Sequence, residues 1–197
     1  MRTVLKLLFV MILTITPAVT KAGGAGAEPA KALVQSIKDD FLSVVNNASL
    51  DDVAKQKKIE KIFVNVVDIE WLGKFAIGRN GKALTPEQLQ QYNTAYKHYL
   101  VNSYVPKFRK YGGQALTIKG VTTSGDKQYI VHSEVINKAG SPPFEIDWNI
   151  IAKDNNQYLI YDMVTEGISL AATQRTEFGN IIANKGFSYL LERLNDK

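Results

Sequence analysis

The apolar residues of this chain change their spacing twice, and no other feature restricts the fold as much. Before the pair Gly112-Gly113 they recur at the 3.6-residue period of amphipathic helices, from Ala115 to Val164 they alternate at the strand period of two, and beyond Gly167 the helical period returns. A block of strands between two blocks of helices is the order of an α+β domain. The expected architecture is N-terminal helices, a four-stranded and mainly antiparallel sheet, and C-terminal helices.

From Glu28, the residues Leu33, Val34, Ile37, Phe41, Val44 and Val45 share one helix face, which Asn46-Asn47 ends. A second helix starts at Asp51 or Asp52, with Ile59, Ile62, Phe63 and Val66 at i, i+3, i+4 and i+7. A short third helix over 68–77 carries Trp71, Leu72 and Phe75 before a break at 78–81. Thr85-Pro86-Glu87-Gln88 opens a long fourth helix, with Thr85 as N-cap, Pro86 at the first helical position and Gln88 as capping-box partner. That helix carries Leu89, Tyr92, Tyr96, Tyr99 and Ser103 on one side, and Pro106 is expected to kink or end it. Strand patterns cover 115–123, 128–137, 144–152 and 158–164, and the short turns between them favour an antiparallel meander. Ser169 is the expected N-cap of a helix bearing Phe178, Ile181 and Ile182, Gly186 stops it, and a last helix carries Leu190, Leu191 and Leu194.

The first 22 residues read as a secretory signal peptide: Arg2 and Lys6, an apolar run from Leu7 to Ile15, then small residues, with cleavage expected between residues 22 and 27. The run is short of the roughly 20 apolar residues a membrane helix needs, so no stable membrane insertion is expected. Residues 28–197 then form a single domain. Without Arg2, Lys6 and Lys21 the 24 basic residues fall to 21 against 19 acidic ones, and the net charge of +5 falls to +2. Neither that balance nor export suits a nucleic-acid partner. The absence of cysteine excludes disulfides, thiolate metal sites and a thiol nucleophile.

Catalytic signatures are scarce. His98 and His132 sit in no recognisable triad or metal spacing, and the chain has no G-x-S-x-G, H-E-x-x-H, Walker or G-x-G-x-x-G motif. The carboxylates Glu145, Asp147, Asp162 and Glu166 lie around the last two strands; Glu145 and Asp147 read best as a solvated or partner-facing surface. Asp162, Glu166 and Arg175 are placed to fix the strand-to-helix junction or to meet a partner. The last two strands are apolar at most positions, among them Phe144, Ile146, Trp148, Ile150, Tyr158, Ile160 and Met163. Such strands serve either a core covered by helices or a cleft that also recruits Trp71, Phe75 and Tyr104, and composition does not choose.

The segment Tyr161-Asp162-Met163-Val164-Thr165-Glu166-Gly167-Ile168-Ser169-Leu170, with Arg175-x-x-Phe178 and Lys185-Gly186 after it, resembles the MlaC family of periplasmic phospholipid-binding proteins, also called the toluene-tolerance auxiliary family. Val67-Asp68, Ile77-Gly78-Arg79, Thr85-Pro86-Glu87-Gln88 and Pro142-Pro143 extend the likeness from about Phe41 to Leu194. The chain departs from it at Asn80-Gly81, where many relatives carry an aromatic pair. The resemblance implies an α+β fold enclosing an apolar cavity for the acyl chains of a phospholipid, the head group staying outside. It implies a monomeric periplasmic carrier, without cofactor or catalysis, shuttling phospholipid as cargo to maintain outer-membrane lipid asymmetry. Its implied partners are an outer-membrane lipoprotein complex and an inner-membrane ABC transporter complex with its substrate-docking subunit. The expected lipid-binding residues are Trp71, Phe75, Tyr104, Phe144, Ile146, Trp148, Ile150 and Met163, with Ile168 near the cavity mouth. Two other classes stand beside this one: an isomerase or dehydratase on a similar cone, using Asp162 with Tyr161, and an adaptor domain with a filled core.

Overall fold

A computed structural model describes residues 26–109, 115–136 and 142–196. The leader, the break at Gly112-Gly113 and the turn at Lys138 to Gly140 lie outside the described residues. Helices α1 (Ala27–Val45), α2 (Asp52–Val66) and α3 (Ile69–Ile77), a 3-10 turn (Gly78–Ala83) and α4 (Pro86–Arg109) precede the sheet. Strands β1 (Ala115–Gly125), β2 (Gln128–Ile136), β3 (Phe144–Ala152), β4 (Tyr158–Thr165) and β5 (Ile168–Ser169) follow, then α5 (Leu170–Lys185) and α6 (Phe187–Asn195).

The helix starts follow from their caps. Asp51 accepts a hydrogen bond from the Ala54 amide at 2.7 Å, and Asp68 from that of Trp71 at 3.1 Å. At Thr85 the capping box is closed both ways: the Gln88 amide donates to Thr85 Oγ1 at 3.2 Å, and the Thr85 amide donates to Gln88 Oε1 at 3.0 Å. The long helix does not stop at Pro106 but runs through it to Arg109.

Among the described residues the sheet has five strands, not four, in the meander order β1-β2-β3-β4-β5 with antiparallel neighbours. The fifth strand arises at Glu166-Gly167, whose φ angles of 50° and 77° are both positive. That is the pairing a two-residue primed turn demands, so the chain folds straight back and sets Ile168 against Thr165 and Ser169 against Val164. Glu166 steadies the turn by accepting the Glu145 amide on Oε1 at 2.7 Å. Between Asn149 and Ile150 the β3–β4 register shifts, leaving Tyr161 as the extra residue of a bulge.

Two interiors result. Helix α1 crosses β1 to β4 on one face of the sheet, with α2 between α1 and α4. On the other side α5 and α3 meet β4, and α3 to α6 close on a core of Leu72, Ala76, Tyr92, Tyr96, Leu100, Phe178, Leu190 and Leu194. Here Tyr92 Oη donates to the Gly73 carbonyl at 2.9 Å and Tyr96 Oη to Gln174 Oε1 at 2.5 Å, so each buried phenol has its acceptor. Burial pushes both phenols far above the ordinary tyrosine range, and Tyr99 up to about 12.

Candidate functional site: an apolar cavity under two helices

Between the inner face of the sheet and the first two helices lies a cavity of about 440 Å³, partly open to solvent. From α1 it is lined by Val34, Ile37, Lys38, Phe41 and Leu42, at i, i+3, i+4, i+7 and i+8 of one helix face. Helix α2 contributes Ile59, Ile62, Phe63 and Val66, Val67 follows, and α4 adds Tyr104. The floor is made by the inward side chains Leu116, Val135, Phe144, Ile146, Trp148, Ile160 and Met163. Lys38 and the Tyr104 phenol are the polar exceptions to a hydrocarbon lining.

Trp148 shows how the floor stays apolar. Its indole Nε1 donates to Ser133 Oγ at 2.8 Å, and that hydroxyl donates to the Ile146 carbonyl at 2.9 Å. The polar edge of the ring is satisfied within the sheet, and its hydrocarbon body is left to the cavity. Gln174 Nε2 donates to Tyr104 Oη at 3.3 Å. Burial, opposed by that bond, holds the Tyr104 phenol above its ordinary value.

Of the residues expected at the lipid, Tyr104, Phe144, Ile146, Trp148 and Met163 line this cavity. Ile150 shares their strand face but is fully buried beyond the cavity, in the core with Ala30, Val34 and Ile160. Trp71 and Phe75 are elsewhere. Trp71 stacks on Phe75 at 4.9 Å and meets Tyr161 edge-on at 5.0 Å, while Phe75 lies 4.8 Å beneath the Arg175 guanidinium. The bulge places Tyr161 and Asp162 together between the inward residues Ile160 and Met163, so both turn to the opposite face and α3 packs there. Ile168 sits on β5, is 66% exposed, and lines no part of the cavity. The walls that sequence reasoning missed come from α1 and α2. Their stripes were visible as periodicity, but a core stripe and a cavity stripe have the same period.

The pair on which an enzyme would rest, Tyr161 and Asp162, is turned away from the cavity. Asp162, 7% exposed, accepts the Met163 and Ala171 amides on Oδ1 at 2.8 and 2.9 Å and the Ser169 hydroxyl on Oδ2 at 2.6 Å. With Ser169, which accepts the Ala172 amide at 3.0 Å, it caps α5, where the helix N-terminus favours a negative charge. Arg175 joins neither carboxylate: it lies over Phe75 and donates to the Phe75 carbonyl at 3.5 Å. His132, which showed no triad in sequence, stands in a row with Thr122 Oγ1 at 2.8 Å from Nε2 and Asp147 Oδ1 at 2.8 Å from Nδ1. Strand alternation puts that row on the sheet face away from the cavity, where it links β1, β2 and β3.

Among the described residues no group of three or more His, Cys, Asp or Glu side chains could hold a metal ion, and no helix is long and apolar enough to cross a membrane. A space of about 440 Å³ walled by hydrocarbon is large beside the voids of a packed interior, few of which exceed a water molecule. Fold and cavity thus define an α+β protein with an apolar space between its sheet and two helices.

Residues 35–196 match the family model of the MlaC protein, and the chain belongs to that family. It is also similar to a phospholipid-binding protein from Ralstonia solanacearum whose structure was solved in complex with a phospholipid. The two share 24% identity over 85% of this chain and 95% of that one, with a TM-score of 0.72. At that identity the likeness establishes the shared fold.

Proposed function

We propose that this chain is a phospholipid carrier of the periplasm, exported by the leader at residues 1–22, whose cavity takes the acyl part of the lipid and leaves the head group at the rim. The observation that carries this reading is the open hydrocarbon cavity in a chain of the MlaC family. The phospholipid bound by the Ralstonia protein supports it. Exposing the roughly 30 methylenes of a diacyl lipid to water costs on the order of 20 kcal/mol, so a lipid crosses an aqueous space only inside equivalent apolar surface. A cavity of about 150 Å³ holds the six carbons of benzene, about 25 Å³ per carbon. On that scale 440 Å³ admits one acyl chain, and a second requires α1 and α2 to stand further from the sheet. The carrier exchanges its cargo with an outer-membrane lipoprotein complex at one end and the substrate-docking subunit of an inner-membrane ABC transporter at the other. It supplies no driving force; direction follows from the relative affinity of each station.

The test is to purify the exported protein, extract it with organic solvent and identify the extract by mass spectrometry. Stoichiometric phospholipid is expected from wild type and none from Trp148→Asp, which sets a carboxylate in the hydrocarbon floor. An extract without lipid, or lipid carried equally by both proteins, rejects the cavity as the carrying site.

A further inference from the structure

We propose that Lys38 holds the anionic phosphate of the lipid and so gives the cavity its preference for phospholipid over neutral lipid; this rests on the carrier reading above. Four of the five cavity-lining residues of α1 are hydrocarbon, and Lys38 occupies the fifth place in the same stripe, four residues after Val34 and four before Leu42. Lys31, two turns earlier on the same helix side, is exposed and lines no part of the cavity. Lys38 is half-buried while the next two residues, Asp39 and Asp40, are exposed. A lysine so placed lays its stem on apolar surface and can carry its ammonium to water.

Among the described residues no carboxylate pairs with this charge. The residues three and four places away are Gln35, Phe41, Val34 and Leu42, so no carboxylate stands at a helix-pairing distance. Asp39 is engaged by Gln35, whose Nε2 donates to both carboxylate oxygens at 3.0 Å. The ion pairs formed among the described residues use Lys74, Lys119, Lys127, His132 and Lys153, not Lys38. A hydrocarbon slot whose one cation among the described lining residues is Lys38 is complementary to a molecule that is apolar at one end and anionic at the other. A phosphodiester at that place would receive a charge-assisted hydrogen bond from a flexible point charge. The carboxylate of a free fatty acid shares that chemistry, and the test separates the two.

Wild type, Lys38→Gln and Lys38→Arg are offered phosphatidylglycerol and diacylglycerol with the same acyl chains in competition, with oleate as a third competitor, and bound lipid is counted by native mass spectrometry. The expected result is a wild-type preference for phosphatidylglycerol over diacylglycerol that falls about tenfold in Lys38→Gln and is kept by Lys38→Arg. The wild-type preference should also shrink as salt is raised. An unchanged preference in Lys38→Gln overturns the assignment, because the ammonium then only sits in water. Oleate displacing phosphatidylglycerol from wild type but not from Lys38→Gln also overturns it, in favour of a carboxylate site. If wild type loads neither glycerolipid, the carrier reading fails and the assignment with it; that outcome is told apart by the missing diacylglycerol.

Discussion

The two interiors are made of similar side chains and closed to different degrees. In the α3–α6 core, aromatic rings lock against one another: Tyr92 stacks on Tyr96 at 5.7 Å and Tyr96 meets Phe178 edge-on at 6.1 Å. Both tyrosine hydroxyls are spent on fixed acceptors, and α3 presents Gly73 where α4 comes near. Under α1 and α2 aliphatic side chains and the rings of Phe41, Phe63, Tyr104, Phe144 and Trp148 face a space of about 440 Å³ that stays unfilled. Aromatic volume, together with hydrogen bonds that fix ring orientation, closes one side. On the other side the rings of the lining leave the space between sheet and helices unfilled, so one interior is closed and the other open.

Emptying the closed side should cost most. Tyr96→Ala removes a fully buried ring and strands Gln174, and is expected to destabilise by about 3–5 kcal/mol in denaturant unfolding, as for other buried aromatics. A loss below about 1 kcal/mol would show that the two interiors pack alike. Next in size is Gly73→Ala. A Cβ there would stand 3.0 Å from Tyr96 Cδ1, and Tyr96 is held by its bond to Gln174. Alanine gains about 1 kcal/mol of helix propensity, but overpacking a ring that cannot yield costs about 1–3 kcal/mol. A net loss of about 1 kcal/mol is expected, and a rise in stability would mean the ring gives way.

Much of this was legible in the sequence, because elements follow from local rules. The Thr85 capping box, the Ser169 cap and the period-two runs place α4, α5 and the four long strands within a residue or two. The fifth strand was not legible: two residues carry no period, and glutamate at the first positive-φ position is an unusual turn residue. The floor of the cavity was half legible. Alternation puts Phe144, Ile146, Trp148 and Ile150 on one face, but where along that face the cavity ends depends on how far α1 lies over the strands. Trp71 and Phe75 mislead for a tertiary reason. Their helix looks like any apolar helix, and only the bulge at Tyr161 decides which side of β4 it covers.

Filling the open side should do the reverse of overpacking the closed one. Val66 is half-buried on α2 and lines the cavity, so the larger ring of Val66→Phe has free volume to enter. Lipid-free protein is expected to gain up to about 1 kcal/mol, while the lipid recovered with the purified protein declines. A penalty like that of Gly73→Ala would show the cavity to be closed in solution.

The smallest effect is expected at Ile168, where sequence and structure disagree most plainly. Read as part of the Asp-x-x-x-Glu-Gly-Ile-Ser segment, Ile168 looks like a guard at the cavity mouth, and a glutamate there ought to expel lipid. In the structure its backbone belongs to the two-residue strand paired with Thr165, and its side chain is 66% exposed and outside the cavity lining. Ile168→Glu therefore takes little apolar surface out of contact, and both stability and co-purified lipid should match wild type. Measured beside Trp148→Asp, it separates the strand face that meets the ligand from the edge that only follows it in sequence. A drop in exchange with acceptor membranes at unchanged lipid content would assign the exposed isoleucine to docking. A drop in lipid content itself would mean that the cavity opens past β5.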